Sequence, residues 1–145
     1  ILDVAVIRPA PCYIDLYALT ADGAAGANLM ATIAAAFDAD DVLDWRFGDL
    51  VTVKAPTAID RTPALTVRVR ADAAGIGPTA LAIANGVWGR WRTRLGATLA
   101  PSELIDAVRA LDGVIDVSIA GLVFTQLTPA QYLTGTITLS VEVVA

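Results

Sequence analysis

LTVRVRADAAGIGPTALAIANGVWGRWRTRLG, residues 65–96, contains both hydrophobic periods on which the fold depends. In its opening residues Leu65, Val67, Val69 and Ala71 alternate with Thr66, Arg68 and Arg70. That is the period of two of a strand buried on one face. GIGP at 75–78 ends the alternation, and Pro78 suits the first turn of a helix that the spacing carries to about Leu95. Leu81, Ala84, Trp88, Trp91 and Leu95 recur at intervals of 3, 4, 3 and 4, which places both tryptophans on the inward stripe of that helix.

The same two signals extend in both directions. Downstream, Pro101 opens a second helix with Glu103 and Asp106 early and Arg109 late; Leu104, Val108 and Leu111 form its face and Gly113 ends it. VIDVSIAG follows as a strand with Ile115, Val117 and Ile119 on one side. ITLSVEVV closes the chain with Ile137, Leu139, Val141 and Val143 together. Upstream, CYIDLYAL reads as a strand, Leu29, Ile33 and Phe37 mark a helix face, and RFGDLVTVKAP returns as a strand ending at Pro56. The segment around Pro56, Thr57 and Pro63 reads as a loop. The expected class is α+β in two small lobes, ββαβ over residues 1–56 and βααββ over 57–145, with mixed or antiparallel sheets and helices packed on one face.

A chain of 145 residues can bury a real core without disulfides or metals. Hydrophobic residues make up 56 % and charged residues 17 %, so the surface is bland and inexpensive to desolvate. No apolar run approaches the roughly 18 residues of a membrane span. The start, ILDVAVIRPAP, has no initiator Met, no basic n-region and no signal h-region, so the expectation is a fragment or processed product. Cys12 is the one cysteine, which excludes an internal disulfide framework and fits a reducing compartment.

Candidate chemistry is sparse. The chain has no histidine, which removes Ser-His-Asp and Cys-His arrangements and histidine metal sites together. Asp38, Asp40, Asp41 and Asp44 crowd one turn but lack the glycine and the terminal glutamate of a calcium loop, so a solvated acidic turn is the better reading. GAAGAN has neither a third glycine nor a Lys-Ser pair to cradle phosphate, and no basic residue to make it a KH-type loop. Cys12, within an apolar segment, reads as a small buried hydrophobe rather than a nucleophile. Arg90, Arg92 and Arg94 interleave with Trp88 and Trp91 as in single-strand nucleic-acid binders. Against that, inward rings cannot stack on bases, and a net charge of −5 repels a polyanion. Arginines at a helix C-terminus also favour its dipole, so these three are expected at a protein contact if they serve one at all.

Three pieces in order, RFGDLVTVKAP after the acidic DADDV, LTVRVRA before a long helix, and RLGATLAPSELIDAVRALDGVIDV, together resemble the baseplate J family of contractile phage tails and related injection machines. The matching positions are Arg46, Gly48, Asp49, Val51, Thr52, Val53, Ala55 and Pro56, then Leu95, Gly96, Ser102, Leu104, Gly113 and Val114. The likeness runs from PAPCYIDLYAL onward and corresponds to the middle and C-terminal parts of the family; WRFGD departs from the more usual Arg-Pro in that turn. It implies a structural wedge component of the tail baseplate of a virion, assembled in the bacterial host cytoplasm. Its partners would be other wedge and hub proteins and further copies of itself, with no catalysis, cofactor, metal, nucleic acid or membrane. The alternative is a stand-alone α+β ligand-binding or regulatory module, which requires a concave pocket with convergent polar groups.

Overall fold

The computed structural model describes residues 1–38 and 49–145, and the chain is α+β with mixed and antiparallel sheets. β1 (Asp3–Ala10) and β2 (Tyr13–Thr20) form an antiparallel hairpin. Pro11 and Cys12 make its turn, so the reading of Cys12 as a buried strand residue is corrected: it is exposed, with φ 66°. Ala10 pairs with Tyr13, which leaves two residues to reverse the chain. Pro11 fixes a negative φ at the first, and the second takes a positive one, as in a type II turn.

β3 (Gly23–Ala24) pairs with the end of β2, and α1 (Ala27–Asp38) follows. β4 (Leu50–Lys54) then lies parallel to β2, a pairing that requires a crossover of this kind between the strands. Leu29, Ile33 and Phe37 are half-buried, as a one-sided helix face demands. β5 (Thr57–Asp60) corrects the expected loop: it pairs with β10 (Gln131–Thr134), a strand that alternation alone does not mark.

β6 (Ala64–Val69) is the centre of the principal sheet, parallel to β11 (Thr138–Val143) and antiparallel to β8 (Val114–Ala120). Leu65, Val67 and Val69 are fully buried on the face covered by α2 (Gly77–Arg92) and α3 (Pro101–Arg109). Each such side chain stabilises by about 1.5–3 kcal/mol relative to exposure. The other face is polar. There Arg68 bridges its two cross-strand neighbours, Asp116 at 3.0 Å and Glu142 at 3.2 Å. A short ladder, β7 (Thr98–Leu99) with β9 (Thr125–Gln126), completes the strands.

Three details of the expected pattern change. In α2 the buried stripe is Ala80, Ala84, Val87, Trp88 and Trp91, with Leu81 and Leu95 only half-buried. The helix also stops at Arg92, because the Leu95 N–H donates to Asp3 Oδ2 at 2.8 Å and the Gly96 N–H to the Gln131 carbonyl at 3.0 Å instead of continuing the helical ladder. Ile115 is 51 % exposed, since a bulge lets Arg68 pair with Asp116 but Val69 with Val114, and the skipped residue turns away from the core. Gly113, before β8, has φ 87°, and a Cβ there would lie 2.3 Å from that of Ala73, so glycine is required.

The chain divides into two compact units. The first comprises Ile1–Ile59, Thr93–Ala97 and Leu127–Tyr132, and so includes segments beyond the 1–56 expected of the first lobe. The second comprises Asp60–Arg92, Thr98–Gln126 and Leu133–Ala145.

Candidate interaction surface

The C-terminal half of α2 decides what the aromatic and cationic residues do. Trp88 is 2 % exposed and Trp91 6 %, with ring centroids 5.9 Å apart and planes tilted by 59°. Both indole N–H groups are satisfied internally: Trp88 Nε1 donates to the Gly135 carbonyl at 3.1 Å, and Trp91 Nε1 to Glu103 Oε2 at 3.2 Å. The rings are structural and present no face to a base.

Arg90 is held by the same carboxylate, its Nη2 donating to Glu103 Oε1 at 2.7 Å. Glu103 lies in the first turn of α3, where a negative charge favours the helix dipole, and its two oxygens tie α3 to the end of α2. Arg92 and Arg94 are exposed, with no carboxylate in ion-pair range among the described residues. Arg92 is in the last turn of α2 and Arg94 lies beyond it. Of the three arginines singled out in the sequence, one is therefore a brace and two are open surface.

Most remaining cations are also internally neutralised. Arg8 meets Asp49 at 3.0 Å, Arg70 meets Asp72 at 3.2 Å and Asp112 at 3.3 Å, and Arg109 meets Asp116 at 3.5 Å. Lys54 Nζ donates to Asp15 Oδ2 at 2.7 Å, and that hydrogen bond raises the ammonium pKa above its ordinary value. Distributed pairs of this kind form no cationic track for a polyanion.

What the surface does display is apolar. In the first unit, register pairs Val4 with Ala18 and Val6 with Leu16, so the four share one face of the sheet. Ala18 and Leu16 are buried, yet Val4 and Val6, on the edge strand, are 43 % and 64 % exposed. In the second unit the loop between β8 and β9 presents Val123 and Phe124, 75 % and 67 % exposed. That loop is anchored by buried Leu122 and by Thr125 Oγ1 donating to the Val123 carbonyl at 3.0 Å. Sequence reasoning passed over this pair. The available signal was GLVF, an apolar run directly after a glycine with no polar alternation to place it in a strand.

Among the described residues, no group of His, Cys, Asp and Glu is gathered to hold a metal, and no helix is long and apolar enough to cross a membrane. The acidic turn lies outside this description at Asp40, Asp41, Asp44 and the Asp38 side chain, as do Arg46 and Gly48 of the baseplate-like motif. Of the later motif positions, Val51, Thr52 and Val53 lie inside β4, whereas Leu95 and Gly96 after α2, Ser102 in the first turn of α3, and Gly113 and Val114 at the entry to β8 fall at structural junctions. Compared with protein-family models and with curated proteins, the chain matches none.

Proposed function

We propose that this chain is a structural component of a contractile-tail baseplate, a wedge protein similar to the baseplate J family, that acts through contacts with other wedge and hub proteins and with further copies of itself. The observation that carries the reading is the ordered series of motifs, from the V-T-V strand closing on Ala-Pro, through the Leu-Gly step, to the Gly-Val entry of β8. Its motifs fall in both compact units, and the Leu-Gly and Gly-Val steps lie at turns that set the chain path. The exposed apolar side chains of β1 and of the loop at Val123 and Phe124 add support, because clustered exposed apolar surface marks contact with other proteins. On this reading Arg92 and Arg94 are charges at the rim of a contact, and the site of the protein in the cell is the assembled tail.

Co-expression with the products of the genes flanking its own tests the proposal. Co-elution with tube, spike or wedge proteins, and ring-shaped particles by electron microscopy, are the expected outcome. Flanking genes unrelated to tails, with no co-elution, would sink it, and so would specific turnover of a small substrate.

A further inference from the structure

We infer that β11 is a self-association edge: two copies of the chain pair β11 antiparallel about a two-fold axis at Val141, joining their principal sheets. This inference is independent of the baseplate reading. It starts from the edge strands of the two main sheets, β1 and β4 in the first and β8 and β11 in the second. β4 is only five residues long and ends on Lys54, two residues before Pro56, and shortness, lysine and proline guard an edge. β8 carries a register break opposite Arg68 and Val69, and β1 carries one between Ile7 and Ala10, with Pro9 inside it. Such bulges and prolines are what prevent an edge from accepting another strand. β11 has neither: its ladder with β6 runs unbroken from Thr138 to Val143.

The unpaired side of β11 is defined by the parallel register. The Thr138 N–H donates to the Pro63 carbonyl and the Val144 N–H to that of Val69, so even-numbered residues face β6. The N–H and C=O groups of Leu139, Val141 and Val143 therefore point the other way, and among the described residues no strand lies on that side. The apolar side chains of the same residues are incompletely covered. Leu139 and Val141 are half-buried and Val143 is 53 % exposed.

Charge selects the occupant and the register. In-register parallel stacking of copies would set Glu142 beside Glu142, which like-charge repulsion disfavours. Antiparallel pairing centred on Val141 instead places Glu142 opposite Ser140 of the second copy, leaves its 3.2 Å bridge to Arg68 in place, and lays Leu139 of the second copy over exposed Val143. The contact is isologous and closes at two copies.

Cysteine crosslinking of the whole chain in a Cys12→Ser background tests both pairing and register. Hydrogen-bonded antiparallel partners have Cα atoms about 5.5 Å apart, inside the disulfide range, so Val141→Cys is expected to give an oxidised dimer and Ser140→Cys none. Sedimentation equilibrium of the uncrosslinked chain should show a concentration-dependent dimer that Val143→Pro weakens about ten-fold or more, since each copy loses an outward N–H. Far-UV circular dichroism confirms that each variant is folded; Val143→Lys, which guards the edge without altering the backbone, gives an independent reading. Dimerisation unaffected by both Val143 variants, crosslinking through Ser140→Cys instead, or a monomer at every concentration would each overturn the inference.

Discussion

The two units differ in how they bury a helix. In the second, α2 places five side chains in the core, two of them tryptophans, over a strand whose Leu65, Val67 and Val69 are inaccessible. In the first, α1 has no fully buried residue among those described, and the buried residues of β2 are divided between the two faces of the sheet, Leu16 and Ala18 on one and Leu19 on the other. Burial depth sets the free energy of local opening, so stability is concentrated in the second unit, while the first retains apolar surface at Val4 and Val6. The lesson is that one chain divides two tasks: a scaffold with a finished core, and a layer whose apolar face is only partly covered.

Truncation at matched positions is the most severe test of that contrast. Trp88→Ala should cost about 3–5 kcal/mol in a denaturant melt, whereas Ile33→Ala in α1 should cost about 1–2 kcal/mol because its side chain is only half-buried. Equal losses would mean that the cores are equally deep and would remove the contrast.

Backbone tolerance should differ in the same sense. A Cβ at Gly135, φ 103°, would meet the Arg61 carbonyl oxygen, whereas one at Gly26 would meet nothing within 4 Å. Gly135→Ala is expected to destabilise by about 2–4 kcal/mol through clash and strained backbone, and Gly26→Ala by about 0.5 kcal/mol or less. Thermal melts of the two variants measure the gap directly.

Even the stable unit has slack. Gly86 and Gly89 lie inside α2 with open space where a side chain would stand, so alanine at either should stabilise by about 0.5–1 kcal/mol. A loss at either position would show that the α2 surface is less open than its geometry implies.

The smallest effect belongs to the surface of the first unit. Hydrogen bonding to Asp15 raises the Lys54 pKa, so what the pair contributes is whole below the unfolded-state value and is lost as pH rises through the folded-state value. Lys54→Met should leave stability near neutrality almost unchanged and flatten its alkaline decline. A variant that steepened that decline would contradict the sign.

Elements legible in the sequence are those whose signal is local. The alternation of β6, the tryptophan stripe of α2, and the proline and glycine bounding α3 each declare themselves within a few turns of chain. β5 and β10 do not, because each is a strand only by virtue of a partner far away in sequence, and TAID lies between Pro56 and Pro63. Cys12 and Ile115 mislead for a related reason: an apolar residue within such a segment reads as inward, but a turn and a bulge rotate these two outward. For the candidate surface, the tryptophans could be assigned from spacing. The division of labour among Arg90, Arg92 and Arg94 could not, because it depends on where the first turn of α3 brings Glu103.

The tilted indole pair gives the scaffold an optical signature of its own. Two transition dipoles held 5.9 Å apart at a fixed, non-parallel angle couple as an exciton and give a split circular dichroism band. That band reports the mutual geometry of Trp88 and Trp91, both in the second unit, and vanishes when α2 loses its packing. The part of the signal that Trp91→Phe removes, which leaves Trp45 and the amides in place, therefore follows the second unit, and set against the amide signal of the whole chain it reveals whether the two units melt together or in turn.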